Sequence, residues 1–181
     1  MCRIGLLLLV LLPSISGCAA APCTVQTWAS RNGGTLRDAR LEERARTLAA
    51  SILHGRTDVR VNVAILKRDD LAAFSWPGGA IFLSRGLLEA LDDELLCAAI
   101  AHEVAHIAKH RAGQRVAALR SASAPLEAEA NADRAGVALL VACGLPADAM
   151  ERMLLRVSAD DGLAPRVRED LRRRVELLRA R

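Results

Sequence analysis

Two histidines and a glutamate stand inside a run that otherwise reads as the interior of a helix. Ala98-Ala99-Ile100-Ala101 precede His102-Glu103-Val104-Ala105-His106, and Ile107-Ala108 follow. Burying two imidazoles and a carboxylate without partners is costly, so the fold has to supply a reason for them. Residues four apart lie on one helix face, so both imidazoles can reach one metal ion with Glu103 beside them. Neutral imidazole nitrogen suits Zn2+, and a catalytic zinc site takes three protein ligands and keeps one position for water. A carboxylate next to that position can serve as general base, because the metal lowers the pKa of the water. His102 and His106 are therefore the candidate ligands and Glu103 the candidate catalytic group.

A third ligand must come from elsewhere. His110 continues the spacing, but eight residues beyond His102 mean about 12 Å of helical rise, too far for a shared ion. His54 stands at the end of an earlier helix and reads as a C-terminal cap. A carboxylate from another helix is the natural candidate, and Glu127, Glu129 and Asp133 all follow Pro125 within one helical pattern. Glu129 and Asp133 share a face, so one can bind metal while the other orients a ligand histidine. Spacing alone does not choose among the three.

The rest of the chain is consistent with one domain of helices and a few strands. Its 181 residues suffice for a buried core, and 52% apolar residues exclude a mainly disordered chain. Leu and Ala dominate and there are four aromatics (Trp28, Phe74, Trp76, Phe82), so the composition leans helical. The net charge of +4 comes from 25 basic and 21 acidic residues interleaved almost everywhere. No stacking aromatics sit among the basic residues, so nucleic acid is not an expected partner.

Residues 1–17 read as a secretory leader. Arg3 precedes an apolar run, Ile4 to Leu12, too short to span a bilayer. Ile15-Ser16-Gly17-Cys18 resembles the lipobox of bacterial lipoproteins. That resemblance implies cleavage before Cys18, acylation of its thiol, and residues 18–34 as a lipidated tether. Ala19 after the cysteine implies sorting to the outer membrane, facing the periplasm. Cys23, Cys97 and Cys143 then remain, and the last two either pair or stay as buried thiols.

Beyond the tether, Thr35 and Asp38 look like the start of a capped helix that Leu41, Ala45, Leu48 and Ile52 continue and Gly55 stops. Val59, Val61, Val63 and Ile65 alternate as a strand, and Leu71–Trp76 and Ala80–Leu83 flank Pro77-Gly78-Gly79 as a second extended pair. Helices are expected over Gly86–Leu91, from Asp92 to His110 with Gly113 as stop, and after Pro125 and Pro146. Leu163, Val167, Leu171, Val175 and Leu178 make an amphipathic tail helix (about 164–180), its arginine face read as solvated.

Three segments carry a family resemblance. Glu129-Ala130-Asn131-Ala132-Asp133-Arg134-Ala135-Gly136 is similar to the E-x-x-A-D-x-x-G segment of the gluzincin zinc metalloprotease family of HtpX, BepA/LoiP and the CAAX prenyl endopeptidase. Phe74 to Phe82 resembles that family's N-A-F-x-x-P-G-G-x-I-x-V stretch, and Arg85-Gly86-Leu87-Leu88 its R-G-L-L. The resemblance implies one Zn2+ per chain, Glu129 as third ligand and Asp133 behind a ligand histidine. It also implies that Gly78, Gly79 and Ala80 lead into a strand edge on which substrate pairs. The expected fold is α+β and mostly helical: a small zincin-like metallopeptidase domain over 35–181, with a short antiparallel sheet whose edge strand borders the active-site cleft.

Departures matter as well. Ala72-Ala73 replace the Asn before Phe74, Ala164-Pro165 stands where many relatives carry His-Pro, and the chain has no tyrosine. Oxyanion stabilisation would fall to zinc alone or to a tail arginine, Arg166, Arg168 or Arg174. The reading is a zinc endopeptidase acting on unfolded or misassembled envelope proteins, as in protein quality control. Its rival is a chaperone-like or scaffold lipoprotein that binds zinc and hydrolyses little.

Overall fold

A computed structural model describes residues 25–54, 59–76, 78–111 and 126–180, without the side chains of His110 and Arg111. The expected leader, the acylation site Cys18, Cys23, and the punctuating residues Gly55, Pro77, Gly113 and Pro125 lie outside the described residues. In chain order the elements begin with α1 (Val25–Arg31), β1 (Thr35–Leu36), α2 (Ala39–Ile52), β2 (Asn62–Leu66), β3 (Ala73–Trp76) and β4 (Ala80–Ser84). They continue with α3 (Arg85–Ala90), α4 (Asp93–Arg111), α5 (Leu126–Ala142), α6 (Ala149–Ser158) and α7 (Pro165–Arg179).

Helix starts follow local chemistry. Asp38 Oδ1 accepts from Leu41 N at 3.0 Å, Asp92 Oδ1 from Leu95 N at 2.9 Å, and Ser84 Oγ from Leu87 N at 3.1 Å. These satisfy amides that the first helical turn leaves unpaired. The cap of α2 is thus Asp38, and Thr35, expected to open that helix, lies in β1 instead. Pro165 occupies the first turn of α7, where its missing N–H costs nothing.

The apolar run around the motif becomes α4, which is buried from Leu95 through Ala105. It is wrapped by α2, α5, α6 and β3, so along this stretch only His102 and Glu103 interrupt an apolar surface. A helix that is apolar all round belongs in a core.

The sheet has the order β1-β2-β4-β3. It is mixed: β2 runs parallel to β4, whereas β1–β2 and β3–β4 are antiparallel. This corrects the expectation of an antiparallel sheet. The connection from β2 reaches β4 only after the β3 excursion, so β4, the strand entered through Gly78-Gly79, is interior and β3 is the edge. Side chains alternate: Ile81 and Leu83 of β4 enter the main core with α4, while Phe82 faces the opposite side.

On that opposite side lies the second correction. Residues 25–34, expected as tether, are α1 and a turn, and Trp28 of α1 packs on the sheet. Its ring lies 5.4 Å from Phe74 (interplanar angle 69°), 5.7 Å from Trp76 and 4.9 Å from Phe82. All four aromatics of the chain thus meet in one cluster, with Leu66 and Ala29 buried beneath them. Cys97 and Cys143 are free thiols, Cys143 donating to Ile52 O at 3.5 Å. Among the described residues no helix is long and apolar enough to cross a membrane.

Candidate metal centre

His102 and His106 project from one face of α4, four residues apart, with ring centroids 4.7 Å apart and planes at 80°. Their Nε2 atoms are 3.1 Å apart. From α5, Glu129 reaches between them, with Oε2 at 3.2 Å from His102 Nε2 and Oε1 at 3.4 Å from His106 Nε2. One donor atom from each residue lies within 4.8 Å of the other two. A tetrahedral zinc with bonds of about 2.0–2.1 Å spaces its ligand atoms roughly 3.3 Å apart, so these separations suit it.

The helix pairing explains how Glu129 arrives there. Glu129, Asp133 and Gly136 follow at four and three residues, one face of α5 turned toward α4. At Gly136 a Cβ would stand 2.5 Å from Met150 Cε and 3.3 Å from the backbone N of His102. The absence of a side chain brings α5 against the backbone that carries the motif. Glu127, the third carboxylate the spacing left open, points into solvent. His54 is exposed at the end of α2, away from the cluster.

Behind the ligands stands a charged pair. Asp133, fully buried, accepts from His102 Nδ1 at 2.8 Å, so that when the ring is neutral Nε2 is the atom left to bind in the cluster. Arg174 of α7 donates to Asp133 through Nε at 2.7 Å and Nη2 at 2.5 Å, and its Nη1 lies 3.2 Å from Glu129 Oε2. Of the three tail arginines named above, it alone reaches the site. Arg166 is exposed and Arg168 pairs with Asp161 at 2.9 Å. With its guanidinium already engaged by two carboxylates, Arg174 positions the donor set. The sequence reading missed that role, although Val167, Leu171, Arg174 and Leu178 keep core-facing spacing.

Electrostatics test the fit to a cation. Burial works against charge on Glu129, yet hydrogen bonds from His102 and His106 hold its carboxyl well below the usual range. Burial opposes Asp133 likewise, and the Arg174 and His102 hydrogen bonds keep it ionised. For His102, burial favours the neutral ring, but hydrogen bonds to Asp133 and Glu129 prevail and push its pKa up to about 9. Three carboxylates, with Glu103 among them, face a single guanidinium here. A divalent ion taking the place of the His102 proton keeps these carboxylates compensated, and two nitrogens plus a carboxylate are the donor set zinc accepts.

The cluster closes one end of a cavity of about 260 Å3. His102, Glu103, Glu129 and Arg174 form its polar end; Leu71–Ala73, α6 and α7 form apolar walls. Gly78, Gly79 and Ala80, expected to bind substrate, are not among its lining residues. They sit at the β3–β4 turn, where Gly78 and Gly79 have φ of 101° and 97°, so their glycines are explained by the turn. The cavity side of the sheet is instead the entry to β3. That entry is anchored by Ser84, whose Oγ donates to Asp70 O at 2.5 Å and accepts from Ala72 N at 3.1 Å.

No curated protein sequence matches this chain. The sequence model described as Peptidase family M48, a family of zinc-dependent metallopeptidases, matches residues 35–159, a span that holds the sheet, the motif helix and Glu129. On that match over most of its length, the chain belongs to peptidase family M48.

Proposed function

We propose that this chain is a zinc-dependent endopeptidase of the bacterial cell envelope, hydrolysing peptide bonds of unfolded or misassembled envelope polypeptides. The observation that carries the reading is the convergence of His102, His106 and Glu129 beside Glu103 at the end of an apolar cavity. Family membership supports the metallopeptidase class.

Zinc, when held by His102, His106 and Glu129, supplies Lewis acidity toward a carbonyl oxygen and toward water. Glu103, 6% exposed and lining the cavity, is the group that takes a proton from the attacking water on its carboxylate. It then delivers that proton to the departing amine, the ordinary double duty of a general base in peptide hydrolysis. Asp133 holds His102 in the tautomer that points Nε2 at the donor cluster, and Arg174 holds Asp133 and Glu129 in place. The apolar walls lower the local dielectric beside the cluster, which strengthens each of these interactions. β3 pairs only with β4 among the described residues, so its outer edge is free to pair with an extended polypeptide. In this reading Leu71–Ala73 take the substrate-side role expected of Gly78, Gly79 and Ala80.

The envelope location rests on the leader and the lipobox-like Ile15-Ser16-Gly17-Cys18. Labelling with a fatty acid in cells should mark the protein and spare a Cys18→Ala variant; equal labelling of both would remove the lipid tether. For the activity, zinc-loaded protein lacking residues 1–17 should cleave unfolded casein, and Glu103→Gln should lower the rate at least a hundredfold while zinc content stays at one per chain. Equal turnover by both would end the endopeptidase reading. The rival, a chaperone-like zinc lipoprotein, is favoured by one observation: no tyrosine exists, and Ala164 caps α7 where a histidine would serve an oxyanion. It predicts zinc uptake and suppression of aggregation without cleavage.

A further inference from the structure

We infer that the face of the sheet covered by α1 lies on the membrane surface, with the rim of the Trp28 cluster among the lipid headgroups and the metal centre turned away from the bilayer. The inference rests on the lipid-anchored reading above and gives the domain an orientation on that membrane.

Tether length comes first. Residues 18–24 separate the acylation site Cys18 from Val25, where α1 begins. Seven residue steps, fully extended, span at most about 25 Å. A folded domain of this length has a radius of gyration of about 15 Å, so the tether is shorter than the domain is wide. Whichever side holds Val25 is therefore the side that can rest on the bilayer. Val25 packs with Trp28 on the far face of the sheet. The cavity and the donor cluster lie on the other side, among α4, α5, α6 and α7.

Surface chemistry agrees. The seven residues of α1 make a helix about 10 Å long, which covers the middle of the sheet face but not its ends. Val25, Trp28, Phe74 and Trp76 are partly buried and keep apolar edges at the surface. An indole ring joins an apolar body to an N–H donor, and so settles where headgroups meet acyl chains.

Charge completes the match. The segments that build this face, 25–37, 59–68 and 71–84, carry Arg31, Arg37, Arg60, Lys67 and Arg68 and no Asp or Glu. Elsewhere in the chain acids and bases are interleaved. Arg31 and Lys67 are exposed, and the guanidinium of Arg68 stands 5.5 Å over the Phe74 ring. Asp70 offsets Arg68 and Glu42 offsets Arg37, which still leaves the face net positive. Apolar rings rimmed by cations suit a bilayer that contains anionic phospholipid. The contact need only be weak, because a short anchor holds the face at an effective concentration of roughly millimolar.

The chain supplies its own probe. Trp28 and Trp76 are its two tryptophans and it has no tyrosine, so intrinsic fluorescence reports this face. Full-length protein processed and acylated in cells would be purified in detergent and reconstituted into vesicles of phosphatidylethanolamine and phosphatidylglycerol. One set of vesicles would carry lipids brominated high on the acyl chain, and fatty acid on the protein would be measured by mass spectrometry. The expected result is loss of about half the emission on brominated vesicles relative to plain ones, as for rings held at the interface. Arg31→Glu combined with Lys67→Glu should cut that quenching with fatty-acid content and zinc stoichiometry unchanged, since both side chains are exposed. Equal emission from the two kinds of vesicle, or quenching that the charge-reversed variant retains in full, would overturn the orientation and leave the lipid anchor standing. A dimer in sedimentation of the unquenched protein would then assign the face to a second copy. Protein without fatty acid would remove the anchor, and the orientation would fall with it.

Discussion

Arg174 occupies a place that its neighbours would give to an aliphatic side chain. It falls on the stripe formed by Val167, Leu171 and Leu178, yet its guanidinium is spent on Asp133 and Glu129. Such a buried cation is tolerated because two carboxylates surround it, and removing one partner leaves the other charge uncompensated. Asp133→Asn keeps the shape but loses the anion, so zinc affinity should fall by about 10–100-fold, the range for residues that orient a ligand histidine. Glu129→Gln removes a donor atom and should weaken zinc further, whereas Glu127→Gln, on the solvent side, should match the wild type. Competition titrations with a chromogenic chelator order the three variants. Should Glu127→Gln prove the most damaging, the donor set is misassigned.

Between elements, close approach does the positioning. Gly136 lets α5 lie against the α4 backbone at Ala101 and His102, and the reach of Glu129 depends on that separation. Gly136→Val would press on Met150 and on that backbone, with an overpacking penalty of about 1–3 kcal/mol. It should also raise the zinc dissociation constant, since the helix bearing one ligand is displaced from the helix bearing two. Ala135→Val, one residue earlier on the exposed side, should change neither quantity appreciably. Chemical denaturation and the chelator titration together separate displacement from simple loss of stability. If Gly136→Val melts earlier but binds zinc as tightly as the wild type, the spacing of α4 and α5 does not govern the site. Ser84 works in a similar way on the other wall: its hydroxyl ties Asp70 and Ala72 to the start of α3, and so fixes the entry to β3.

Across the whole molecule, two hydrophobic clusters flank one small sheet, and only one of them touches the metal centre. The aromatic cluster around Trp28 holds α1 on the far face. Trp28→Ala should therefore cost about 2 kcal/mol, less than full burial of a large aromatic would imply because the side chain is only partly buried. A domain of this size loses about 2–4 °C of melting temperature per kcal/mol, so a scan should show a drop of roughly 4–8 °C with zinc stoichiometry intact. An unchanged melting point would mean that α1 contributes no stability. What the sequence determined by itself was local. The period of the apolar residues, the prolines and glycines at the ends, and two imidazoles four apart on one helix depend only on neighbours within a turn or two, and the elements appear close to where those signals put them. Tertiary structure decided whatever depends on residues far apart in the chain. It made the sheet mixed with β3 at its edge, turned part of the expected tether into α1, and drew Arg174 inward from a face that read as solvated. Spacing left Glu127, Glu129 and Asp133 equivalent as third donors. Only the packing of α5 on α4 through Gly136 puts one of them between the histidines, because a donor set is defined by distances in space, which no pattern along a single helix contains.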